Sequence, residues 1–162
     1  MKKRIVAATN NEHKRQEITA ILGPHSLQVV TCRDIGVAPP SVEENADTFE
    51  GNAVKKACAV ADTTGACALA DDSGLVVDIL GGAPGVHTAR YAGENATDTD
   101  NINKLLDELK GCENRTARFV CVIAVAIPGK LIGTAEGRIE GAITHTPRGS
   151  NGFGYDPVFQ PS

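Results

Sequence analysis

Two aspartates stand side by side directly after a short apolar run, and they are the strongest candidates for chemistry. Asp71 and Asp72 follow Cys67–Ala70 and precede Ser73-Gly74. A carboxylate at the end of a buried strand is a suitable magnesium ligand or general base. Because successive side chains of a strand point to opposite faces, one aspartate is expected to face a cleft while the other fixes the turn. The alternative is a capped turn without a chemical role.

A second pair of acids, Glu43 and Glu44, belongs to a separate acidic loop spanning Val42–Asn45. Magnesium is commonly held by one or two carboxylates together with phosphate oxygens, so a glutamate from this loop is the expected second ligand. The residues themselves leave open which of the two glutamates meets the metal.

One lysine is predicted to face inward from a helix. The apolar stripe of that helix recurs at helical spacing and comprises Phe49, Ala53, Ala57 and Val60. Lys56 falls on or beside this stripe, with Asn52 one turn earlier on the same side, whereas Lys55 points elsewhere. An inward lysine must snorkel, pair with an acid or meet an anionic ligand. Snorkelling is the ordinary alternative to a binding role.

A polar loop, Thr9 to Lys14, links the apolar run Ile5–Ala8 to a helix. In α/β proteins, anions bind where the carboxyl end of a strand meets the N-terminus of a helix, and Lys14 adds a positive charge there. The loop lacks the glycines and the Lys-Ser/Thr ending of a Walker A motif. The alternative is a solvated turn with a helix N-cap.

A glycine-rich segment near the end of the chain, Gly152–Pro157, carries two aromatic residues. Phe153 and Tyr155 look exposed and could stack on a purine, while Asp156 could accept hydrogen bonds from it. The alternative is a packed surface turn.

These candidates are positioned by strands and helices that alternate along the first two thirds of the chain. Three helices are predicted. The first carries Ile18, Ile21 and Leu22 on one face, the second begins at Asp47-Thr48 and ends near Gly65, and the third begins at Thr97-Asp98 and ends at Gly111. The strongest strand, Arg118–Ile127, is followed by Leu131–Ile139 across a turn at Pro128-Gly129. The pattern predicts an α/β fold with a mixed sheet and flanking helices, in one domain covering 1–162.

The bulk composition limits the partners. The net charge is -4, from 16 basic and 20 acidic residues, whereas nucleic-acid-binding proteins are usually basic. We therefore expect a small-molecule partner and no nucleic acid. No apolar run is long enough to span a membrane. The five cysteines lack metal or redox spacing, which predicts free thiols in a reducing cytoplasm.

Five segments, taken together and in this order, resemble the inosine triphosphate pyrophosphatase family, also described as XTP/dITP diphosphatases. One segment alone would be unspecific, but the five together are specific and span nearly the whole chain. They are Thr9–Lys14, Glu44–Phe49 with Asn52, Ala53 and Lys56, Ala70–Leu75, Gly81–Gly85 with Ala89–Tyr91, and Gly152–Pro157.

The resemblance implies an elongated α/β fold with two lobes around a deep central cleft, usually in a homodimer. It implies that Asp72, Lys14 and Lys56 carry catalysis, and that Glu44 and Asp72 bind Mg²⁺. It implies that the triphosphate is held by the Thr9 to Lys14 loop and by Lys56, and that the base pocket is lined by Phe153 to Asp156. The predicted substrate contacts are Thr9, Asn10, Asn11, Glu12, His13, Lys14, Asn52, Ser73, Phe153, Gly154, Tyr155 and Asp156.

The activity that the resemblance implies is hydrolysis of unusual purine nucleoside triphosphates (ITP, dITP and XTP) to the monophosphate and pyrophosphate. The family usually continues into a closing helix, with a lysine and a Ser-His-Arg stretch, whereas this chain stops at Gln160-Pro161-Ser162. The alternative is therefore a nucleotide-binding module without turnover. A second enzymatic alternative is a pyrimidine or modified-nucleotide pyrophosphatase of related architecture.

Overall fold

The computed structural model describes residues 3–162, which form a six-stranded sheet with flanking helices. The strands are β1 (Lys3–Ala7), β2 (Leu27–Val30), β3 (Ala68–Val77), β4 (Thr116–Ile127), β5 (Lys130–Ile143) and β6 (Phe159–Pro161). The α-helices are α1 (Glu12–Leu22), α2 (Phe49–Thr64) and α3 (Asp98–Glu108). The strand order is β2-β1-β3-β4-β5-β6.

The sheet is mixed, as predicted. Strand β1 pairs in parallel with β2 and with β3, whereas β5 pairs antiparallel with β6. Only Pro128-Gly129 separates β4 from its neighbour β5, a connection that is short enough only for an antiparallel hairpin. The α/β class and the late hairpin are therefore confirmed.

The described chain divides into two compact units. The first contains the residues up to Asp72 together with Val122–Glu136, and the second contains Ser73–Cys121 and Gly137–Ser162. Each unit has an apolar cluster of its own. The cluster of the first unit includes Ile5, Ile18 and Leu69, and that of the second includes Leu75, Val77, Leu105, Leu109 and Val158. The arrangement of two lobes about a cleft stays a prediction.

Helix N-caps fix the loops that lead into the helices. The Asn11 side chain accepts hydrogen bonds from two backbone N–H groups in the first turn of α1, and Thr48 does the same for α2 with one. Thr97 and Asp100 form a reciprocal capping box at α3. Helix α2 ends at Gly65, whose φ of 65° suits glycine. The predicted start and end of α2 and the predicted start of α3 are confirmed, whereas α3 ends at Glu108, three residues before the predicted Gly111.

One predicted helical face is wrong in part. In α1, Ile18 is buried and Leu22 packs against the same cluster, but Ile21 is 66% exposed. Each residue turns an α-helix by about 100°, so Ile21 lies well to one side of the direction shared by the other two. Its side chain therefore points to solvent and not to the core.

Strand β3 also departs from the prediction. It runs without a break from Ala68 to Val77, so the predicted turn at Asp71–Gly74 is wrong. Asp, Ser and Gly are poor strand formers, but β3 lies between β1 and β4 in the sheet. Pairing with neighbouring strands therefore overrides the local preference.

Two further predictions concern the chain as a whole. All five cysteines are thiols outside any disulfide bond, as expected. Across residues 3–162, every helix falls short of the length and apolar character that crossing a bilayer requires.

Candidate active site

Lys14 and Asp71 form an ion pair on one face of β3. Lys14 Nζ lies 2.8 Å from Asp71 Oδ2, and only 21% and 8% of the two side chains are exposed. Leu69, two residues before Asp71 and therefore on the same face, packs with Ile18 of α1. Helix α1 thus covers this face and delivers Lys14 to Asp71 from its first turn.

Lys56, a residue of α2, meets Asp72 on the opposite face of β3. Lys56 Nζ lies 2.6 Å from Glu44 Oε1 and 3.9 Å from Asp72 Oδ1. The Lys56 and Asp72 side chains are mostly buried, with 16% and 13% exposed, whereas Glu44 is 42% exposed. Both carboxylates lie within ion-pair distance of one ammonium group. Lys56 therefore pairs with acids and does not simply snorkel to solvent.

Asn52 joins Ala46, the residue that follows the acidic loop, to Asp72. Its Nδ2 donates to Asp72 Oδ2 at 3.1 Å, and its Oδ1 accepts from the backbone N–H of Ala46 at 3.0 Å. Only 2% of Asn52 is exposed. Both ends of the amide are thus bonded inside the protein, and the predicted contact of Asn52 with substrate would have to displace one of these bonds.

The two glutamates of the acidic loop have different partners. Glu43 Oε2 accepts from Asn45 Nδ2 at 3.2 Å, and Asn45 Oδ1 accepts from Lys55 Nζ. Glu44 instead reaches Lys56 beside Asp72. Of the two candidate metal ligands, Glu44 is therefore the one that neighbours the Asp72 carboxylate.

Burial has the largest effect on the pKa of the Asp72 carboxyl. Desolvation raises the pKa of its carboxyl above the ordinary value, although the Lys56 ammonium and the hydrogen bond from Asn52 act to lower it. The smaller contributions come from Glu44, which raises the pKa, and from Lys14, which lowers it. The charge of Lys14 is thus felt at Asp72 although the ammonium group itself contacts Asp71.

Asp71 is the residue whose role was missed. The prediction that the two aspartates point to opposite faces is consistent with their different partners, but Asp71 does not fix a turn. It binds Lys14, the lysine that was predicted to bind phosphate. Extending β3 through both acids would have placed Asp71 on a defined face of the strand, but its partner Lys14 comes from a distant segment of the chain.

The remaining residues of the first loop are spread over different environments. Thr9 Oγ1 accepts from the Asn11 backbone N–H at 3.0 Å, and the Asn11 side chain caps α1. Asn10 and His13 are exposed. Glu12 accepts hydrogen bonds from Arg15 and Gln16 on the surface of α1. Asn11 accepts hydrogen bonds from the N–H groups of His13 and Lys14, which is the helix N-cap that the alternative for this loop described.

The glycine-rich turn in the second unit contains one core residue. Tyr155 is 3% exposed and its hydroxyl donates to the Thr88 carbonyl at 2.8 Å, so the prediction of an exposed, stacking Tyr155 is wrong. Asp156 Oδ2 accepts from the Phe153 N–H at 3.0 Å, and the Gly154 N–H donates to Asp98 at 2.9 Å. The turn is held by these bonds, and Phe153 is half-buried within it.

The donor set suits a hard divalent cation. Glu44 and Asp72 supply carboxylate oxygens, the ligands that Mg²⁺ prefers. No cluster of three or more His, Cys, Asp or Glu residues that could hold a metal occurs within residues 3–162. A two-carboxylate site is nevertheless sufficient for Mg²⁺, which completes its shell with water and phosphate oxygens. Ser73, half-buried, follows Asp72 directly in β3.

Comparison with known proteins gives a consistent set of relatives. The dITP/XTP pyrophosphatase of Bacillus licheniformis is 53% identical over 159 residues, which cover 97% of this chain and 81% of the relative. That of Bacillus subtilis is 50% identical, with 97% and 80% covered. The solved structure of the Staphylococcus aureus Ham1 protein matches with a TM-score of 0.84 and 42% identity, covering 97% of this chain and 80% of that one.

A HAM1 protein from Coxiella burnetii is equally similar in structure, with a TM-score of 0.86 and 41% identity over 97% of this chain and 81% of that one. The sequence model described as the Ham1 family matches residues 5–162, which is almost the entire chain. The chain therefore belongs to the Ham1 family.

Proposed function

We propose that this protein is a nucleoside triphosphate pyrophosphatase that hydrolyses ITP, dITP and XTP to the monophosphate and pyrophosphate. The proposal extends to this chain the activity for which its relatives of about half-identical sequence are named. The proposed reaction removes ITP, dITP and XTP from the pool of free triphosphates.

One observation supports the proposal most strongly. Lys56 lies within ion-pair distance of both Glu44 and Asp72, and the charge of Lys14 reaches the same Asp72 carboxylate. Hydrolysis of a triphosphate is accelerated by cations that stabilise phosphate charge and by a general base, such as a carboxylate, that accepts a proton from water. This site offers both within one compact unit.

In the proposed reaction, the two lysines exchange their carboxylate partners for phosphate oxygens when the triphosphate binds. Asp72 orients a water molecule and takes its proton. The water oxygen forms a bond to the α-phosphorus, the bond from that phosphorus to the bridging oxygen breaks, and pyrophosphate leaves with the electron pair. A carboxylate whose pKa burial has raised is the better base for this step.

Glu44 and Asp72 are the proposed ligands of a divalent cation, and Mg²⁺ is the ion that we propose. A bound Mg²⁺ withdraws charge from phosphate oxygens and supports the leaving group. Glu44 is well placed for such a role because it is the more exposed acid of the site. The protein's contribution is to present these two carboxylates together.

Selectivity for a 6-oxo purine is proposed to arise from polar groups that match the oxygen and are left unpaired by the amino group of adenine. Phe153 and Asp156 stay the predicted base-pocket residues in the second unit. Tyr155 is excluded from stacking by its burial. Cytoplasmic location and a homodimer also stay predictions, and the mass in solution by light scattering checks the latter.

A product assay tests the proposal. The protein is incubated with Mg²⁺ and ITP, XTP, ATP or dTTP, and pyrophosphate and orthophosphate are measured separately. We expect pyrophosphate from ITP and XTP, with much slower turnover of ATP and dTTP. Chelation of the metal is expected to abolish release.

Each alternative has its own result in this assay. Orthophosphate as the first product would indicate a phosphatase and defeat the proposal. Preference for dTTP would indicate a pyrimidine pyrophosphatase. Binding of ITP without release of either product would indicate a nucleotide-binding module.

A further inference from the structure

We propose that Asn52 is a positioning residue that ties the loop carrying Glu44 to the Asp72 carboxylate, and that it does not bind substrate. This inference rests on the proposed function because it assigns a role within the same site. It replaces the substrate contact that was predicted for Asn52.

The contacts of Asn52 leave it no free surface for a ligand. It is 2% exposed, its Nδ2 donates to Asp72 Oδ2, and its Oδ1 accepts from the Ala46 N–H. Among residues 3–162, every buried side-chain nitrogen or oxygen has a hydrogen-bond partner. A substrate atom could reach this amide only by displacing an internal bond, which costs free energy in a buried setting.

The two bonds of Asn52 act on the two acids of the site. Asp72 Oδ2 is held by Asn52, which leaves Oδ1 turned toward the Lys56 ammonium at 3.9 Å. Ala46, held by the other end of the amide, is two residues from Glu44. One rigid amide therefore sets both the rotation of the Asp72 carboxylate and the position of the loop that presents Glu44.

Asn52 is also the best-shielded anchor of that loop. Helix α2 holds the loop through Lys55 to Asn45, Lys56 to Glu44 and Asn52 to Ala46. Lys55 is exposed, and exposed polar contacts contribute little because water competes for them. The Asn52 bond is buried and directed at the backbone, so we expect it to dominate the loop's position.

Asn52→Ala tests the proposal with two independent measurements. We expect kcat for ITP to fall about 10- to 100-fold, as is usual when a group that orients catalytic carboxylates is lost, with KM changed less than about threefold, since no substrate contact is removed. In the substrate-free protein, hydrogen exchange at the Ala46 amide is expected to accelerate because its acceptor is gone. That second measurement does not depend on turnover.

Asn101 offers a matched control. It is 3% exposed in α3, its Oδ1 accepts from the Ala92 N–H at 2.8 Å, and its Nδ2 donates to the Ala89 carbonyl at 3.1 Å. It therefore ties a loop to a helix as Asn52 does, but both of these hydrogen bonds go to backbone groups. We expect Asn101→Ala to lower Tm by a similar amount and to leave kcat unchanged.

The isosteric variant Asn52→Asp covers the case in which Asn52→Ala does not fold. It keeps an acceptor for Ala46 and replaces the donor to Asp72 with a second acid, so we expect slow exchange at Ala46 and a low kcat. Wild-type kcat in either variant, or a large rise in KM at constant kcat, would overturn the proposal. Failure of the wild-type protein to release pyrophosphate would instead defeat the proposed function, and the exchange result would be unaffected.

Discussion

At the scale of single residues, Asp72 shows a conflict between stability and chemistry. Its carboxylate is buried, and burial raises its pKa despite the nearby Lys56 and the bond from Asn52. The folded protein therefore disfavours the charged form that the proposed reaction needs. Functional sites commonly contain groups held in such an unfavourable state.

This conflict predicts a pH-dependent gain in stability for Asp72→Asn. Below the ordinary Asp pKa of about 3.9, the carboxyl is neutral in both the folded and the unfolded state, so the variant gains nothing. As pH rises through the raised folded pKa, the wild-type protein loses stability because it must ionise a buried group. We expect Tm of the variant, in chelator, to match wild type near pH 3 and to exceed it at pH 7.

The size of the gain is readable from the melting curves. In a chain of this length, each kcal/mol of difference shifts Tm by about 2–4 °C, and the variant should lose turnover at the same time. A variant that is less stable than wild type at pH 7 would show that pairing with Lys56 outweighs burial.

Lys56 and its neighbour Lys55 provide a matched pair for the role of charge. Lys56→Met removes the ammonium group that Glu44 and Asp72 share, and loss of one charge-stabilising donor costs about 10²- to 10³-fold in kcat. Lys55→Met removes an exposed lysine whose ammonium group bonds Asn45, and a change below about threefold is expected. Steady-state kinetics with ITP measures both. Equal losses in the two variants would contradict a specific role for Lys56.

At the scale of elements, helix patterns were more informative than strand patterns. The stripe of α2, its Thr48 cap and its end at Gly65 followed from residue spacing, and with them the inward position of Lys56. The full extent of strand β3 did not follow from residue spacing, because two aspartates, a serine and a glycine in succession are typical of a turn. Lys14 and Lys56 approach the two acids from segments distant in sequence, and no local pattern contains that information.

Burial of side chains that are both polar and large was equally hard to anticipate. Tyr155 was expected on the surface but is in the core of the second unit, where Thr88 satisfies its hydroxyl. Asn52 was expected to meet substrate but is enclosed between Ala46 and Asp72. In both cases the partner that makes burial tolerable lies elsewhere in the chain.

The packing of α2 against the acidic loop predicts an effect of Gly51→Ala. Alanine stabilises a helix by about 0.8–1.0 kcal/mol relative to glycine, but a Cβ at position 51 would lie 2.8 Å from the Cβ of Ala46. The loop must move away, and Glu44 moves with it. We expect kcat for ITP to fall about tenfold or more, while Tm changes little because the two effects oppose each other.

Gly23→Ala is the control for this change. Gly23 has φ of -54° and no atom within 4 Å of an added Cβ, so alanine there meets no obstacle. We expect unchanged kcat and an unchanged or slightly higher Tm. Full activity in Gly51→Ala would mean that the position of the acidic loop does not limit the reaction.

At the scale of the whole molecule, charge is arranged locally. The net charge is -4, yet the site places Lys14 and Lys56 in ion pairs with acids of the same unit. In the proposed function, a triphosphate replaces those acids as the partner of the two ammonium groups. The extended phosphate chain of a nucleic acid would instead require a basic surface, which an acidic protein does not readily provide.

This charge balance predicts that nucleic acid does not compete with free nucleotides. Non-specific binding to DNA has a Kd of about 10⁻⁴–10⁻⁶ M in proteins that neutralise many phosphates, and lower salt strengthens it. We therefore expect the rate of pyrophosphate release from ITP, measured at low salt, to be unchanged by a large mass excess of duplex DNA that contains only the four ordinary bases. Added inorganic triphosphate should inhibit under the same conditions, because it carries the charge that the two lysines accept. Competitive inhibition by the duplex would show that the surface around the site attracts polyanions in spite of the net negative charge. The protein would then have to distinguish free from polymeric nucleotides by shape rather than by charge.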